Sequence, residues 1–211
     1  MDIHDQKNFN LLNTILNDNQ TVIDVGANMG QYTDFFLNKL KSTGKIYSIE
    51  LFPDTCNSLK QKYVNNNNVK VLNYAISDVD GKLPFYSGNH HCLHNILGHD
   101  VNFRDTKLSG EIESMRIDSL FANEEKIDLI KIDVEGAELL VLEGCKNIIN
   151  KIEYILVECH LKKDWDNIKK LLLDDYNLEC FNSSADVNGI VKINNKSEIA
   201  YQCFCKKKIQ N

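Results

Sequence analysis

The sequence predicts an α/β fold in which a mostly parallel sheet carries helices on both of its faces. Apolar runs of strand length alternate with amphipathic segments of helix length, a pattern typical of β-α-β units. The segment Ile127–Ile132 has the apolar run that a central strand covered on both sides requires. Because crossovers between parallel strands are right-handed, successive helices are expected on both faces of the sheet.

Local signals set the limits of the individual elements. Gly44 ends a helix, Pro53 is tolerated in the first turn of the next one, and the asparagines at 65–68 form a polar turn. Asp80 and Gly81 form a hairpin-type turn. In chain order we predict a helix over residues 8–17, a strand over 22–25, a helix over 31–41, a strand over 45–50, a helix over 53–63, a strand over 69–74, a short β segment over 82–86, a strand over 127–132, a helix over 138–149, a strand over 154–158, a helix over 165–174, and strands over 178–181 and 199–205.

Length and composition bound the class of protein. A chain of 211 residues is predicted to form one domain over residues 1–211. Its net charge of −6 argues against a nucleic-acid partner, which would require a basic surface. No apolar stretch approaches the ~20 residues of a membrane span. The first ten residues lack the basic region and apolar run of a secretory signal, so we expect a cytoplasmic protein. The oligomeric state stays open.

The cysteines are odd in number and scattered along the chain. Five of the seven lie in or beside apolar runs, namely Cys56, Cys145, Cys159, Cys203 and Cys205. This placement predicts reduced thiols that serve as small hydrophobic side chains in a reducing compartment. Cys203 and Cys205 alternate along a strand and therefore face the same side, where a metal or redox pair is the alternative to core packing.

Residues 87–114 interrupt the alternation of strands and helices. This segment is rich in glycine, asparagine and histidine and has no clear period. Long irregular segments in compact domains are often functional, so we predict a mobile loop that covers the acceptor. His90 and His94 have a spacing that could chelate a metal on a helix, but a polar surface loop is the preferred interpretation.

A glycine turn after the first predicted strand has the features of a nucleotide-binding turn. Gly26 allows a sharp turn after Asp24, and Gly30 allows a close approach of the helix that follows. A dinucleotide-binding turn has a glycine at the position of Asn28, which weakens an NAD interpretation. Glu50 ends the second strand and could accept both ribose hydroxyls of an adenosine. Capping and solvated strand ends are the structural alternatives for these residues.

The third strand is followed by a further polar pair. Ser77 and Asp78 lie where an adenine amino group could be recognised, although Asp78 could equally open a turn. Carboxyl ends of parallel strands meet at one edge of the sheet, which is where ligands bind in open α/β folds. The polar residues at successive strand ends are therefore expected to form one site.

Five segments in this order resemble the FkbM family of S-adenosylmethionine-dependent methyltransferases: TVIDVGANMGQYT, YSIELFPDTCNSL, LNYAISDVDG, MRIDSL and IDLIKIDVEGAELLVLEG. The resemblance implies a Rossmann-like class I methyltransferase fold with seven strands, the last antiparallel. It implies methylation of a hydroxyl group, often on a sugar or polyketide. One departure is Leu51, where the family usually has proline, and we expect a shifted loop there. The resemblance implies that Gly26, Asn28, Gly30, Glu50, Ser77 and Asp78 surround the cofactor. The full set of predicted cofactor contacts adds Asp24, Ala27, Tyr32, Thr33, Leu51 and Asp133.

Candidate catalytic residues follow the fourth and fifth strands. We predict that Asp133 positions the acceptor hydroxyl and that His160 is the base, because an unperturbed imidazole titrates near ~6.5. Glu158 is the alternative base, and Lys131 is expected to balance the buried carboxylates. A divalent cation held by Asp133, Glu158 and His160 is an option that is not preferred.

The neighbouring acidic residues have a structural interpretation. The structural alternative for Glu135 and Glu138 is a charge that stabilises the N-terminus of the following helix through its macrodipole, and this interpretation is preferred for Glu138. The sequence thus predicts an O-methyltransferase that acts on a hydroxylated small molecule or glycan. A dinucleotide-dependent oxidoreductase and a catalytically silent S-adenosylmethionine-binding protein are the alternatives.

Overall fold

The computed structural model describes residues 3–87, 94–98, 106–183, 191–197 and 202–208. Its helices and strands, in chain order, are α1 (Ile3–Ile15), β1 (Thr21–Val25), α2 (Gln31–Leu40), β2 (Lys45–Ile49), α3 (Pro53–Lys62), β3 (Val69–Leu72), β4 (Ala75–Ile76), β5 (Gly81–Ser87), β6 (Lys107–Met115), α4 (Ile117–Leu120), β7 (Ile127–Ile132), α5 (Glu138–Glu143), β8 (Ile152–Glu158), α6 (Trp165–Lys170), β9 (Leu178–Asn182), β10 (Val191–Lys192) and β11 (Gln202–Lys207). A π-helical turn over Leu171–Asp175 continues α6.

The main sheet has the strand order β10-β9-β11-β8-β7-β1-β2-β3. β1 lies at its centre and pairs in parallel with both β2 and β7. β11 runs antiparallel to its neighbours β8 and β9, whereas β10 adds a two-residue edge. The predicted seven-stranded sheet with an antiparallel last strand is confirmed, and β10 extends it. A small second sheet has the order β4-β6-β5.

Helices cover both faces of the main sheet, as predicted. On one face, Phe9 of α1 and Phe36 of α2 pack in the same apolar cluster as Leu129 of β7. On the other face, Val141 of α5 packs in the cluster that contains Ile130. Adjacent β7 residues thus enter opposite faces, which is the side-chain alternation of a strand buried on both sides. Burial on both faces holds β7 in place, and with it the polar residues that follow its carboxyl end.

The prediction of an irregular loop over residues 87–114 is wrong for its last part. Residues Lys107–Met115 form β6, which pairs with β5 in antiparallel and with β4 in parallel. Most β6 side chains are exposed, with only Ile112 and Ser114 buried, so the strand lacks the apolar alternation that reveals strands in a sequence. His90 lies outside the described residues, and with it the His90–His94 pair. The acceptor role of the segment stays a prediction.

The helix predicted over residues 138–149 is shorter in the structure. α5 ends at Glu143, and the chain turns at Gly144, whose amide donates to the Leu140 carbonyl. A Cβ atom on Gly144 would lie 2.4 Å from the Ser77 carbonyl oxygen. The helix therefore ends where Gly144 approaches the backbone at Ser77. The local sequence around either residue does not indicate this contact.

The prediction that the cysteines are reduced is wrong for Cys205, which forms a disulfide with Cys180. The two residues are direct partners in the β9–β11 pairing, with Cα atoms 4.1 Å apart. Sequence alone could not show that the strands become neighbours. The other four predicted thiols form no disulfide and are buried: Cys56, Cys145, Cys159 and Cys203. In the part of the chain that is described, no helix has the length and apolar character needed to cross a membrane.

Candidate active site

Two neighbouring cavities open at the carboxyl ends of the central strands. The first encloses about 610 Å³ of space that is continuous with solvent. Its walls combine a few polar groups with many apolar ones: Val25, Gly26, Asn28, Ile49, Glu50, Leu51, Tyr74, Ala75, Ile76, His94, Asn95, Ile96, Asp133, Val134, Glu135 and Ala137.

The second cavity has a more polar wall and shares Gly26, Asn28 and Asp133 with the first. Its lining residues are Asp5, Gly26, Ala27, Asn28, Met29, Gln31, Tyr32, Lys131, Asp133, Glu158 and Gln202. We refer to the loops after β1 and β2 as the β1–β2 side of the site. The loops after β7 and β8 form its β7–β8 side.

Gly26 brings these two sides into contact. Its φ of +78° lies in the region that favours glycine, and its amide donates to the Ile49 carbonyl at 3.0 Å. A Cβ atom at this position would lie 1.7 Å from the Asp133 carbonyl oxygen. Only glycine allows the turn after β1 to rest on the backbone that follows β7.

Glu50 is a buried carboxylate, 6% exposed, in the wall of the first cavity. One of its oxygens accepts the Asn28 amide and the other the Phe52 amide, each at 2.8 Å. Burial raises the pKa of Glu50, while these two amides and Lys131 favour its ionised form. The Asn73 side chain donates to the carbonyls of Glu50 and Leu51, which holds the turn that lacks the family's usual proline.

Lys131 is a buried cation between the strand ends. Its ammonium donates to the Gly26 carbonyl at 3.3 Å and to Asp133 at 3.2 Å, and lies 3.5 Å from Asp24. Burial opposes the charge of Lys131, but Asp133 and Asp24 outweigh burial and raise its pKa. The ammonium also lies 4.8 Å from the centre of the Tyr32 ring. Lys131 therefore balances the buried carboxylates, as the sequence predicted.

Several predicted cofactor contacts lie away from the two cavities. Asp24 is fully buried and accepts the Thr33 hydroxyl at 2.7 Å, so both residues support the turn from beneath. A Cβ atom on Gly30 would lie 2.4 Å from the Tyr63 hydroxyl, which shows that Gly30 allows α2 to approach α3.

The structure also does not bring Ser77 and Asp78 to the cavity wall. The Ser77 hydroxyl donates to the Asp78 carboxylate at 2.9 Å, and the wall is formed by the three residues before them. The polypeptide turns into β4 earlier than predicted, because the third strand ends at Leu72 rather than at residue 74.

His160 lies on the β7–β8 side among four carboxylates. Its Nδ1 atom lies 2.8 Å from Glu138. Its Nε2 atom lies 3.8 Å from Asp133, 3.9 Å from Glu135 and 3.8 Å from Glu158. We call these five residues the carboxylate–imidazole cluster. Burial lowers the pKa of His160, but Glu138 and the other carboxylates outweigh burial and raise it to about 9.

The structure adds a second role to the one predicted for Glu138. Its side chain is 2% exposed and accepts the Gly136 amide at 2.9 Å as well as the His160 ring. It does begin α5, but its carboxylate points inward and holds an imidazole rather than facing solvent at a helix end. The spacing of 22 residues between Glu138 and His160 gives no local signal in the sequence.

The sequence left the role of Glu135 open, with a charge at the helix N-terminus as its structural alternative. Glu135 lines the first cavity from a turn in which its φ is +56°. Burial raises the pKa of Glu135 to about 7, and His160 opposes this rise. Burial and the Asp133 charge also raise the pKa of Glu158. The cluster thus holds more negative charge than its single imidazole balances.

Donor atoms of Asp133, Glu135 and His160 lie within 4.8 Å of one another, near enough to bind one divalent cation. The set differs from the predicted one, in which Glu158 took the place of Glu135. Such proximity also follows from a protonated imidazole among carboxylates, so the geometry alone does not require a metal.

The comparisons with known proteins decide the family. The Methyltransferase FkbM domain matches residues 24–180, which is well over half of the chain. The chain belongs to the FkbM methyltransferase family. This match confirms the resemblance in the five segments, and it extends past His160 to the disulfide-bonded Cys180.

Two curated proteins are similar to this FkbM chain. The hexuronic acid methyltransferase AglP of Haloferax volcanii is 28% identical over 152 residues, covering 71% of this chain and 59% of that protein. The 2-O-methyltransferase NoeI of Sinorhizobium fredii is 26% identical over 151 residues, covering 65% of this chain and 62% of that protein. The chain therefore spans less than two thirds of the length of either relative.

Solved structures show the same fold. Methyltransferase FkbM of Methylobacillus flagellatus has a TM-score of 0.59 at 14% identity, covering 90% of this chain and 44% of that one. An S-adenosylmethionine-dependent O-methyltransferase of Thermotoga maritima has a TM-score of 0.53 at 12% identity, covering 97% and 66%. These likenesses confirm the class I methyltransferase fold.

The FkbM chain also uses residues that the sequence did not indicate. Residues 94–96 reach the wall of the first cavity, where the His94 ring stacks on Phe52 at 3.9 Å. Tyr74 lines the same wall. The fold brings residues 94–96 to the same cavity wall as the glycine turn. Local composition gives no sign of this proximity.

Proposed function

We propose that the chain is an S-adenosylmethionine-dependent O-methyltransferase that acts on a sugar hydroxyl, in a glycan or a small molecule. The observation that carries the proposal is the fixed Glu50 carboxylate in a cavity that also contains Gly26 and Asp133. A carboxylate held in this way can accept the paired hydroxyls of a ribose. The curated relatives, named for hexuronic acid and 2-O methylation, support the choice of acceptor.

The first cavity fits the cofactor. Ile49, Ala75 and Ile76 offer an apolar surface to an adenine ring, and the carboxylate of Asp133 favours a nearby positive charge. When bound, S-adenosylmethionine supplies an electrophilic methyl group on a positively charged sulfur. We place its amino-acid part beside Gly26 and Asn28, which the two cavities share.

The acceptor is proposed to lie on the β7–β8 side. Asp133 belongs to both cavities, so its carboxylate stands where the cofactor and a second molecule would meet. Its contact with Lys131 fixes one oxygen and leaves the other toward His160. Holding the hydroxyl oxygen at a fixed place supplies much of the rate advantage in a displacement reaction. The carboxylate–imidazole cluster is then the group that receives the hydroxyl proton.

Calorimetric titration with S-adenosylmethionine, S-adenosylhomocysteine and NAD tests the cofactor. We expect both sulfur compounds to bind and NAD not to bind, because Asn28 replaces a glycine of the dinucleotide turn. Transfer of a radiolabelled methyl group to a panel of methyl glycosides, including a hexuronoside, then tests the acceptor. A product that resists mild alkali is an ether, as proposed, whereas an alkali-labile product is an ester. The proposal would be contradicted if NAD bound and neither sulfur compound did, or if the product were an ester.

A further inference from the structure

We propose that Glu135 takes the proton from the acceptor hydroxyl and that Glu138 and His160 act as a fixed positioning pair beside it. The inference rests on the proposed function, because it assigns roles within that reaction. It replaces the expectation, drawn from sequence alone, that His160 is the base.

The Glu135 carboxylate is the one in the cluster with no fixed hydrogen-bond donor. The Lys131 ammonium donates to Asp133, a side-chain amide donates to Glu158, and a backbone amide donates to Glu138. Within the described residues no group donates a hydrogen bond to Glu135, which faces the imidazole of the cluster at 3.9 Å. A carboxylate with free lone pairs is available to bind the hydroxyl of an incoming molecule.

The position of Glu135 also favours this role. It lines the first cavity together with Asp133, whereas His160 and Glu138 belong to the walls of neither cavity. Its left-handed backbone, followed by Gly136 with a φ of +106°, forms the tight turn between β7 and α5. A left-handed backbone is unfavourable for a glutamate, and the turn presents its side chain to the cavity. A base must reach the proton that it removes, and Glu135 is placed to do so.

The contact between Glu138 and His160 is fixed by a short distance, as a positioning pair requires. The buried Glu138 carboxylate holds Nδ1, so Nε2 is the atom that faces Asp133, Glu135 and Glu158. Glu138, Asp133 and Glu135 raise the pKa of His160 to about 9 against the opposing effect of burial. The ring is therefore protonated at neutral pH and can donate to a ligand, but it cannot accept a proton.

Unlike His160, Glu135 has a pKa that allows it to accept a proton near neutral pH. Burial raises its pKa to about 7, Asp133, Glu138 and Glu158 add to the rise, and His160 opposes it. A base is most effective when its pKa lies near the working pH, which this value satisfies at neutrality.

The methyl transfer requires only these residues and the two reactants. The acceptor oxygen keeps the electron pair of its O–H bond and forms the new C–O bond, while its proton passes to a Glu135 oxygen. The electron pair of the broken S–C bond stays on sulfur, which becomes a neutral thioether. The proton on Glu135 returns to solvent after the products leave.

Nitrogen-15 NMR of the histidine rings, recorded with S-adenosylhomocysteine between pH 6 and 10, tests the resting protonation without an acceptor. We expect both nitrogens of His160 to carry protons at pH 7.5 and the ring to titrate near 9. In a Glu138→Gln variant the titration should move to lower pH, whereas Glu143→Gln, an exposed change on the same helix, should leave it in place. A neutral His160 ring at pH 7.5 would overturn the inference.

The pH dependence of turnover identifies the base. Glu135→Gln should lower kcat by ~10²–10⁴-fold with S-adenosylhomocysteine affinity within about twofold, and Glu135→Asp should restore part of the rate. The acidic limb of the wild-type profile, on which activity rises as Glu135 loses its proton, should lie near pH 7. His160→Gln should keep that limb but move it to higher pH, because the imidazolium no longer stabilises the Glu135 charge.

Other outcomes would contradict the assignment. A Glu135→Gln variant with wild-type turnover, or loss of the acidic limb only in His160→Gln, would return the role to His160. Loss of wild-type activity with a chelator and its recovery with Mg²⁺ would show that the cluster binds a cation. If the wild type methylates no glycoside, the proposed function fails; if the wild type is active and Glu135→Gln equally so, only this inference fails.

Discussion

The β1–β2 side and the β7–β8 side lie at the same edge of one sheet, but they hold their charges differently. On the β1–β2 side, Glu50 is fixed by two backbone amides within its own and the adjoining loop. On the β7–β8 side, four carboxylates share one imidazole, and three of them stand 3.8–3.9 Å from it. The first arrangement is complete before a ligand binds. The second has free hydrogen-bonding capacity, which is what a site that binds and deprotonates a hydroxyl requires.

The largest expected effect comes from the contact that joins the two sides. Gly26→Ala should lower the free energy of unfolding by about 4 kcal/mol, because a Cβ atom there meets the Asp133 carbonyl at 1.7 Å in a left-handed backbone. Chemical denaturation measures the loss. Gly81→Ala is the control, since Gly81 also has a positive φ but has no atom within 4 Å of the added Cβ, and it should cost about 1 kcal/mol. Equal losses in both variants would show that the two sides do not depend on close contact.

The second effect concerns the charge excess of the β7–β8 side. The folded pKa of His160 is raised from 6.5 to about 9, so its stabilisation is complete below pH 6.5 and is lost as the pH rises through 9. The free energy of unfolding should fall by up to ~3 kcal/mol between pH 6.5 and 9.5, since one pKa unit corresponds to about 1.4 kcal/mol. Chemical denaturation across this range measures it. His160→Gln should be less stable at pH 6.5 and should show a smaller fall over the same window, with a residual slope from the raised pKa of Glu135. An unchanged slope would assign the effect to another group.

The smallest effect tests the β1–β2 side by itself. Glu50→Gln should weaken S-adenosylhomocysteine binding by about 1.5–3 kcal/mol, or roughly 10–100-fold, because hydrogen bonds to a charged group have this strength. Calorimetry on the folded variant measures the affinity. Asp78→Asn serves as the matched control, and its affinity should stay within about twofold because Asp78 lies outside both cavities. Comparable losses in the two variants would restore the cofactor role predicted for Asp78.

The two sides also differ in how far the sequence predicted them. The strands of the main sheet and the position of Glu50 follow from local patterns, because apolar runs, glycine turns and strand ends lie within a few residues of one another. The pairing of Glu138 with His160 joins the segments that follow β7 and β8, which are 22 residues apart in sequence. Local patterns therefore suggested a helix-end charge for Glu138 and an unpaired base for His160.

The same limit explains the other differences. β6 was not predicted because most of its side chains are exposed and carry no apolar period. The disulfide between Cys180 and Cys205 depends on the adjacency of β9 and β11, which no local pattern encodes. Periodic burial is visible in a sequence, whereas contacts between segments that meet only in the folded chain are not.

The contact between Lys131 and the Gly26 carbonyl spans 105 residues and has a consequence for biosynthesis. Translation adds roughly 5–20 residues per second, so β1 leaves the ribosome about 5–20 s before β7 is available to pair with it. During that interval one edge of β1 and its apolar side chains lack their final neighbour. The nascent chain then already contains Gly26 and Glu50 but has no wall from Asp133, so the first cavity is complete only when the fourth strand of the main sheet has docked.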